Sequence, residues 1–380
     1  MRILAGVIGL ALIFVVLWEA FETIVLPRRV TRRFRTTRAF YRYTWLPWST
    51  FIHRFAPGKE LDTYLGFYGP LSLLLLLVMW AGGLVVGFAL LQVAAGSAVF
   101  APLGKVAFWS DLYLSGTTFF TLGLGDVAPV SPLAKTLVVI EAGMGFGFLA
   151  MVIGYLPLLN QAFSRRETNI SMMDARAGSP PSAAEMLRRH ARLYGIDELT
   201  QLLSVWERWS AELLESHLSY PVLAYFRSHH DNQSWLGALT AVLDSCAFSM
   251  TNMEGTCTSQ ARLTFAMARH AVADLAIVFK TPPVYREGDR LSQDEFERMC
   301  AMLRDEGLQL RQDANGYRAL AELRVLYEPY LQALGSYFCM SVPPWMPGWT
   351  RLDNWQTGAW ERRYGIVRED LPEGYEDEHF

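Results

Sequence analysis

The chain has 380 residues, enough for two or three units at about 100–200 residues each. Apolar residues make up 52% and charged residues 19%, with a mean hydropathy of +0.16, which excludes a disordered chain and an ordinary soluble domain. The net charge of −3 hides an asymmetry: residues 1–160 carry 12 Lys and Arg against 7 Asp and Glu, and residues 161–380 carry 22 against 30, so the two halves face different surroundings.

Three apolar runs are long enough to cross a bilayer. The first is Ile3–Leu26, interrupted only by Glu19 and Glu22. The second is densest over Leu71–Leu91, inside a stretch free of Asp, Glu, Lys, Arg and His, Thr63–Gly104. The third runs from about Leu133 to Leu159 and holds Glu141. Each reaches the roughly 20 residues that about 30 Å of hydrocarbon requires. A signal peptide is the alternative for the first run, but it lacks a small-residue cleavage site and a basic cluster follows it.

That cluster predicts the orientation. Arg28, Arg29, Arg32, Arg33, Arg35, Arg38, Arg42, Arg54 and Lys59 lie between the first two runs, against the single carboxylate of Glu60. Basic residues gather on the cytoplasmic side of spanning helices, so the N-terminus is expected outside and the C-terminus inside, in a multi-pass protein of the plasma membrane. Membrane lipids are then the expected surroundings, with Tyr41, Tyr43, Trp45 and Trp48 as interfacial anchors. Glu19 and Glu22, at i, i+3 spacing, are expected to pair with Arg28 or Arg29.

The external segment contains Trp109–Phe120, a short apolar helix with Ser110 as its expected N-cap and Asp111 in its first turn. It is too short to span, and Thr121-Leu122-Gly123-Leu124-Gly125-Asp126 follows it. Glycines at alternate positions permit left-handed backbone, which lets successive carbonyls point one way. In a membrane such backbone survives only where protein or a water-filled path satisfies it.

Here the sequence resembles the pore of potassium channels, whose Thr-Val-Gly-Tyr-Gly filter is a standard example of ion selection by carbonyls. Thr121, Gly123, Gly125 and Asp126 stand in register with that filter; Leu122 replaces the usual Val and Leu124 the usual Tyr or Phe. The resemblance covers residues 65–162: outer helix, pore helix, filter and inner helix. It implies potassium as the permeant ion, bound by carbonyls of Thr121, Leu122, Gly123 and Leu124, with Gly125 completing the filter and Asp126 at the outer mouth. It also implies a homotetramer, because one chain supplies one loop. Leu124 cannot make the hydrogen bond of the family tyrosine, which leaves a weakly selective cation channel as an alternative. Gly143, Gly145, Gly147, Gly154 and Pro157 are candidate hinges of the inner helix, with close packing the alternative role of each glycine. Glu141 is expected to brace the back of the filter through Thr117 or Thr118.

The division expected is a first transmembrane helix at 1–26, a basic cytoplasmic linker at 27–64, the pore domain at 65–162, a helical cytoplasmic domain at 163–368 and an acidic tail at 369–380. Periodicity in the fourth part predicts helices at Ser182–Tyr194, Asp197–Leu218, Ser234–Asn252, Thr258–Lys280, Ser292–Glu306 and Tyr317–Tyr337. The fold class is therefore an all-α membrane protein. No Gly-rich dinucleotide fingerprint follows a strand, so no nucleotide cofactor is expected, nor a nucleic-acid partner. Cys246, Cys257, Cys300 and Cys339 lack the spacing of a zinc or disulfide framework and read as reduced core thiols. Glu212, Glu215, His217, His229, His230 and Asp231, and the pair His270 and Asp274, match no standard metal site, and solvated or capping side chains are the expected reading. Trp206, Trp209 and Trp235 are expected core anchors. No nucleophile–base pair declares itself, so an enzyme is not expected; a membrane-tethered sensor or enzyme remains the alternative from another class, with any cytoplasmic regulator unidentified.

Overall fold

The computed structural model describes residues 1–26, 36–55, 60–97, 99–100, 108–230, 232–255, 257–285, 288–311 and 315–346. Arg28, Arg29, Arg32, Arg33, Arg35, Lys59, Asp231 and the acidic tail lie outside them. The described chain is almost entirely helical and divides into two compact units, Met1–Gln161 and Ala162–Phe380. Three helical stretches are long and apolar enough to cross a membrane: Arg2–Val25, Glu60–Ala94 and Pro132–Ala177. The protein is an all-α membrane protein.

In the first unit, α1 (Arg2–Ala20) continues through a π-turn to Val25 and packs along α4 (Tyr68–Ala94), which α3 (Glu60–Gly66) precedes. The two long helices touch backbone to backbone: a Cβ on Gly9 would lie 2.7 Å from Gly87 O. Small residues permit such approach between apolar helices. The segment read as a basic linker contains a 20-residue helix, α2 (Thr36–Phe55). Its start is held by Glu19, which accepts hydrogen bonds from Thr36 N at 3.2 Å, Thr37 N at 3.1 Å and Thr37 Oγ1 at 2.8 Å. A carboxylate suits a helix N-terminus, whose first N–H groups have no partner within the helix. Glu19 thus caps α2, a role that spacing from Arg28 and Arg29 did not suggest, and Glu22 accepts from Trp18 Nε1 at 2.7 Å.

Two of the four expected interfacial anchors are buried instead. Tyr41 and Trp45, one turn apart, pack under Tyr68 of α4; the Trp45 and Tyr68 rings stand 4.8 Å apart, and Tyr68 donates to Tyr41 O at 3.1 Å. Tyr43 remains exposed, with Phe51 and Phe55 beside Arg42 and Arg54 on the uncovered side of α2.

The second unit takes in the end of α6 (Pro132–Ala177) and seven further helices: α7 (Ala183–Arg189), α8 (Ile196–Ser219), α9 (Trp235–Asn252), α10 (Cys257–Phe279), α11 (Gln293–Asp305), α12 (Gly316–Arg324) and α13 (Glu328–Phe338). Ser182, Ser234 and Ser292 cap three of them by accepting from the backbone N–H three residues on, as the Ser residues at those predicted starts imply. Every residue from Trp235 to Ser249 is buried, so α9 is the central helix, enclosed on all sides. Trp206, Trp209 and Trp235 are buried, and the last two donate to Arg166 O and Ala224 O. Cys246, Cys257 and Cys300 are buried, and Cys339 is half-buried. The run expected as one helix over Tyr317–Tyr337 is two, because Pro329 has no N–H to continue the ladder and opens α13.

The charges in this core are paired. Asp244 on α9 meets Arg290 and accepts from the Tyr327 hydroxyl at 2.6 Å. Arg290 and Arg324 share Glu328 and both lie over the Trp345 ring. Burial, which outweighs Arg290, pushes Asp244 up to about 6. His217 is wholly buried, with Nδ1 2.8 Å from Leu213 O and Nε2 3.4 Å from the Arg166 guanidinium. Burial and then Arg166 push the ring down to about 3.

His217 therefore stays neutral in the fold, whereas in an unfolded chain it titrates near 6.5. Below that pH the unfolded chain binds the extra proton, so stability falls as pH falls, by about 1.4 kcal/mol for each unit between the two values. Denaturant unfolding of the full-length protein should show this slope, and His217→Gln should remove that share of it. An unchanged slope in the variant would contradict the assignment.

Candidate pore and filter

Helix α5 (Phe108–Phe119) is short and ends just before the segment Thr121–Gly125, the candidate filter. It starts two residues before Ser110, so Ser110 sits inside the first turn and is not the N-cap. Asp111 is buried and accepts from Ser97 Oγ at 2.7 Å. A two-stranded ladder joins the loop before α5 to the loop after the filter: β1 (Val99–Phe100) pairs antiparallel with β2 (Ala128–Pro129). Ser131 then caps α6 by accepting from Ala134 N at 3.2 Å, with Pro132 at the first helical position.

The filter backbone alternates in hand. Thr121, Gly123 and Gly125 have φ of +56°, +57° and +79°, while Leu122 and Leu124 between them do not share the left-handed region. Glycine takes this conformation freely. Thr121 does not, since a left-handed residue with a branched Cβ is strained by roughly 1–2 kcal/mol. Such strain marks functional sites.

The hydrogen bonds of this segment are one-sided. Thr121 N donates to Thr118 O at 3.0 Å, Leu122 N to Thr117 O at 2.8 Å, and Gly123 N to Thr117 O at 3.4 Å. The donors are thus tied back to the last turn of α5. Among the described residues no donor reaches the carbonyls of Thr121, Leu122, Gly123 or Leu124. A run of carbonyls with the N–H groups of Thr121, Leu122 and Gly123 tied back the other way has the arrangement that cation coordination by backbone oxygens requires. The negative end of the α5 dipole lies at the same place.

Asp126 follows, and its carboxylate lies beside the Tyr113 hydroxyl of α5. The side chains of Leu122 and Leu124 point away from any cover within the chain, at 62% and 63% exposure.

Helix α6 runs unbroken through Gly143, Gly145, Gly147, Gly154 and Pro157. Gly145 is buried beneath the end of α5: a Cβ there would lie 2.0 Å from Phe119 O. Among the described residues nothing beyond the local helix lies within 4 Å of where a Cβ on Gly143, Gly147 or Gly154 would stand. Of the most apolar 18-residue stretch of this helix only 11% is buried, against 56% for the stretch containing α4. Glu141 is buried, but its partner is Ser115 on the covered face of α5. Thr117 points elsewhere and donates to Leu114 O at 3.0 Å. The expected brace through Thr117 or Thr118 is therefore corrected to Ser115.

The histidine and carboxylate residues weighed as a metal site do not converge. His217 is enclosed beside Arg166, and His270 pairs with Asp274 alone, at 3.4 Å. Among the described residues no three His, Cys, Asp or Glu side chains gather as a metal site would require.

The family model described as ion channel matches residues 75–157, from the outer helix through the filter to Pro157. Protein LctB of Geobacillus stearothermophilus is 33% identical over 93 residues, covering 22% of this chain and 69% of that protein. The chain belongs to the ion channel family. An uncharacterized membrane protein, YdjJ of Bacillus subtilis (strain 168), is 28% identical over 182 residues, which is 47% of this chain and 52% of that one. The chain thus spans about half the length of this second relative. No solved structure matches the chain.

Proposed function

We propose that this ion channel passes potassium, selectively or preferentially, through a pore closed by four copies of the chain. The observation that carries the reading is the one-sided filter: N–H groups of Thr121, Leu122 and Gly123 tied to α5, carbonyls from Thr121 to Leu124 left without protein donors, and φ alternating in sign. Stacked rings of such carbonyls, with the Thr121 hydroxyl, replace the hydration shell of the ion. One chain supplies one side of each ring, and the bare surface of α6 and the uncovered Leu122 and Leu124 side chains favour further copies as their cover. Asp126 raises the local cation concentration at the outer mouth. Gly143, Gly147 and Gly154, where an added Cβ would meet no other described element, are the better hinge candidates with Pro157, and Gly145 the packing glycine.

Gly123→Ala tests the filter. Its φ of +57° costs a Cβ-bearing residue roughly 1–2 kcal/mol in each of four subunits, and four methyl groups would crowd one ring. Potassium flux into vesicles holding the purified variant should be abolished while insertion persists. Normal flux would remove Gly123 from the ion path.

The basic stretch between the first two spans supports a cytoplasmic position for α2 and for the C-terminal unit, in the plasma membrane, with the N-terminus and Asp126 outside. A cysteine introduced beside Met1 should react with an impermeant thiol reagent applied to whole cells, and one near Phe380 should not. The reverse pattern would invert the topology and place Asp126 at the inner end of the pore.

A further inference from the structure

One hydroxyl pins α5 from two sides. Ser115 Oγ lies 2.7 Å from Val85 O on α4 and also meets Glu141 Oε1 on α6. Ser115 and Glu141 are both fully buried. A serine hydroxyl carries a single proton and a carbonyl oxygen can only accept. The Ser115 proton therefore belongs to Val85 O. Glu141 can bond to the same Oγ only by donating a proton of its own, which a carboxylic acid has and a carboxylate lacks.

The surroundings agree with this count. Glu141 Oε2 is buried with no protein partner. Along α4 the stretch 78–92 facing this region contains no ionisable side chain. Helix α5 brings Asp111, one turn before Ser115 and held by Ser97, and Tyr113, whose hydroxyl lies beside Asp126. On α6 itself the nearest charge is Lys135, exposed at the helix start. Among the described residues no cation pairs with Glu141, so a carboxylate here would be a buried charge without a counter-ion.

We propose that Glu141 is a filter-positioning residue that works as a neutral acid, closing a relay from Glu141 to Ser115 to Val85 O that locks the pore helix to both flanking membrane helices. The inference rests on the conduction reading for its consequence. The filter donors hang from Thr117 O and Thr118 O, less than one helical turn beyond Ser115, so a shift of α5 displaces the carbonyl row directly. Gly145, one turn after Glu141, seats the end of the same helix. With Glu141 ionised, the carboxylate and Val85 O would compete for one proton, and one of the two helices would lose its hold.

The test has a spectroscopic arm and a conduction arm. Infrared spectra of the full-length protein in lipid at neutral pH should contain a protonated-carboxyl band that Glu141→Gln removes. In vesicles, Glu141→Gln keeps an N–H donor for Ser115 Oγ and should conduct within about twofold of the parent, whereas Glu141→Ala and Ser115→Ala should each lower potassium flux by roughly five- to tenfold, the fold-change of one lost buried hydrogen bond. The double variant should be no worse than either single one, since both remove the same link. An alkaline bath should reduce flux through the parent and leave Glu141→Gln unaffected. Absence of the band in the parent, or a Glu141→Gln channel as impaired as Glu141→Ala, would overturn the proposal. If the parent itself carried no current, the conduction reading would fail while the infrared arm still decided the protonation of Glu141.

Discussion

A backbone carbonyl inside a membrane needs a partner, because hydrocarbon offers none and an unsatisfied group there costs several kcal/mol. The segment Thr121–Leu124 breaks the usual solution, since its carbonyls accept nothing from the described protein while the N–H groups of Thr121, Leu122 and Gly123 are tied to α5. On the proposed function, cations in the loop supply what the fold withholds. The rest of the pore unit follows from that constraint: α5 must end where the acceptors begin, glycine must stand where the backbone turns left-handed, and the surrounding helices must keep the row from relaxing into bonds of its own.

The supports are correspondingly direct. Helix α4 receives α5 through the Ser115 hydroxyl at Val85 O, and α6 receives it through Glu141 and through the missing Cβ of Gly145. Helix α1 packs on the far side of this arrangement and reaches its most specific contact at its end, where Glu19 caps α2. The second unit is organised differently, around a central buried helix, α9, with its few interior charges matched by arginines and by the Trp345 ring.

Much of this was legible in the sequence. Apolar runs of sufficient length can do little other than span, and Thr121, Gly123, Gly125 and Asp126 at fixed spacing after a short apolar helix identify the pore loop. Ser182, Ser234 and Ser292 marked helix starts because a side-chain acceptor at that point has one obvious use. What escaped depends on contacts between distant segments. The helix within the basic stretch was hidden by arginines that speak more strongly of topology than of conformation, and its cap, Glu19, lies on another helix. Tyr41 and Trp45 were read as interfacial because aromatic residues suit both an interface and a core, and only Tyr68 decides between them. Glu141 was recognised as costly but given the wrong partner, since spacing along α6 cannot say which face of α5 it meets. The split between α12 and α13 was readable from Pro329 and was overridden by the helical period on either side of it.

The claim at the centre of this account is that the carbonyls of Thr121 to Leu124 bind and pass potassium. Its most direct test is the reversal potential of current through the purified wild-type protein in a planar bilayer, with potassium on one side and sodium on the other. A reversal potential displaced toward the potassium equilibrium value is the result the account predicts. A reversal potential near zero, with equal currents of the two ions, would contradict it.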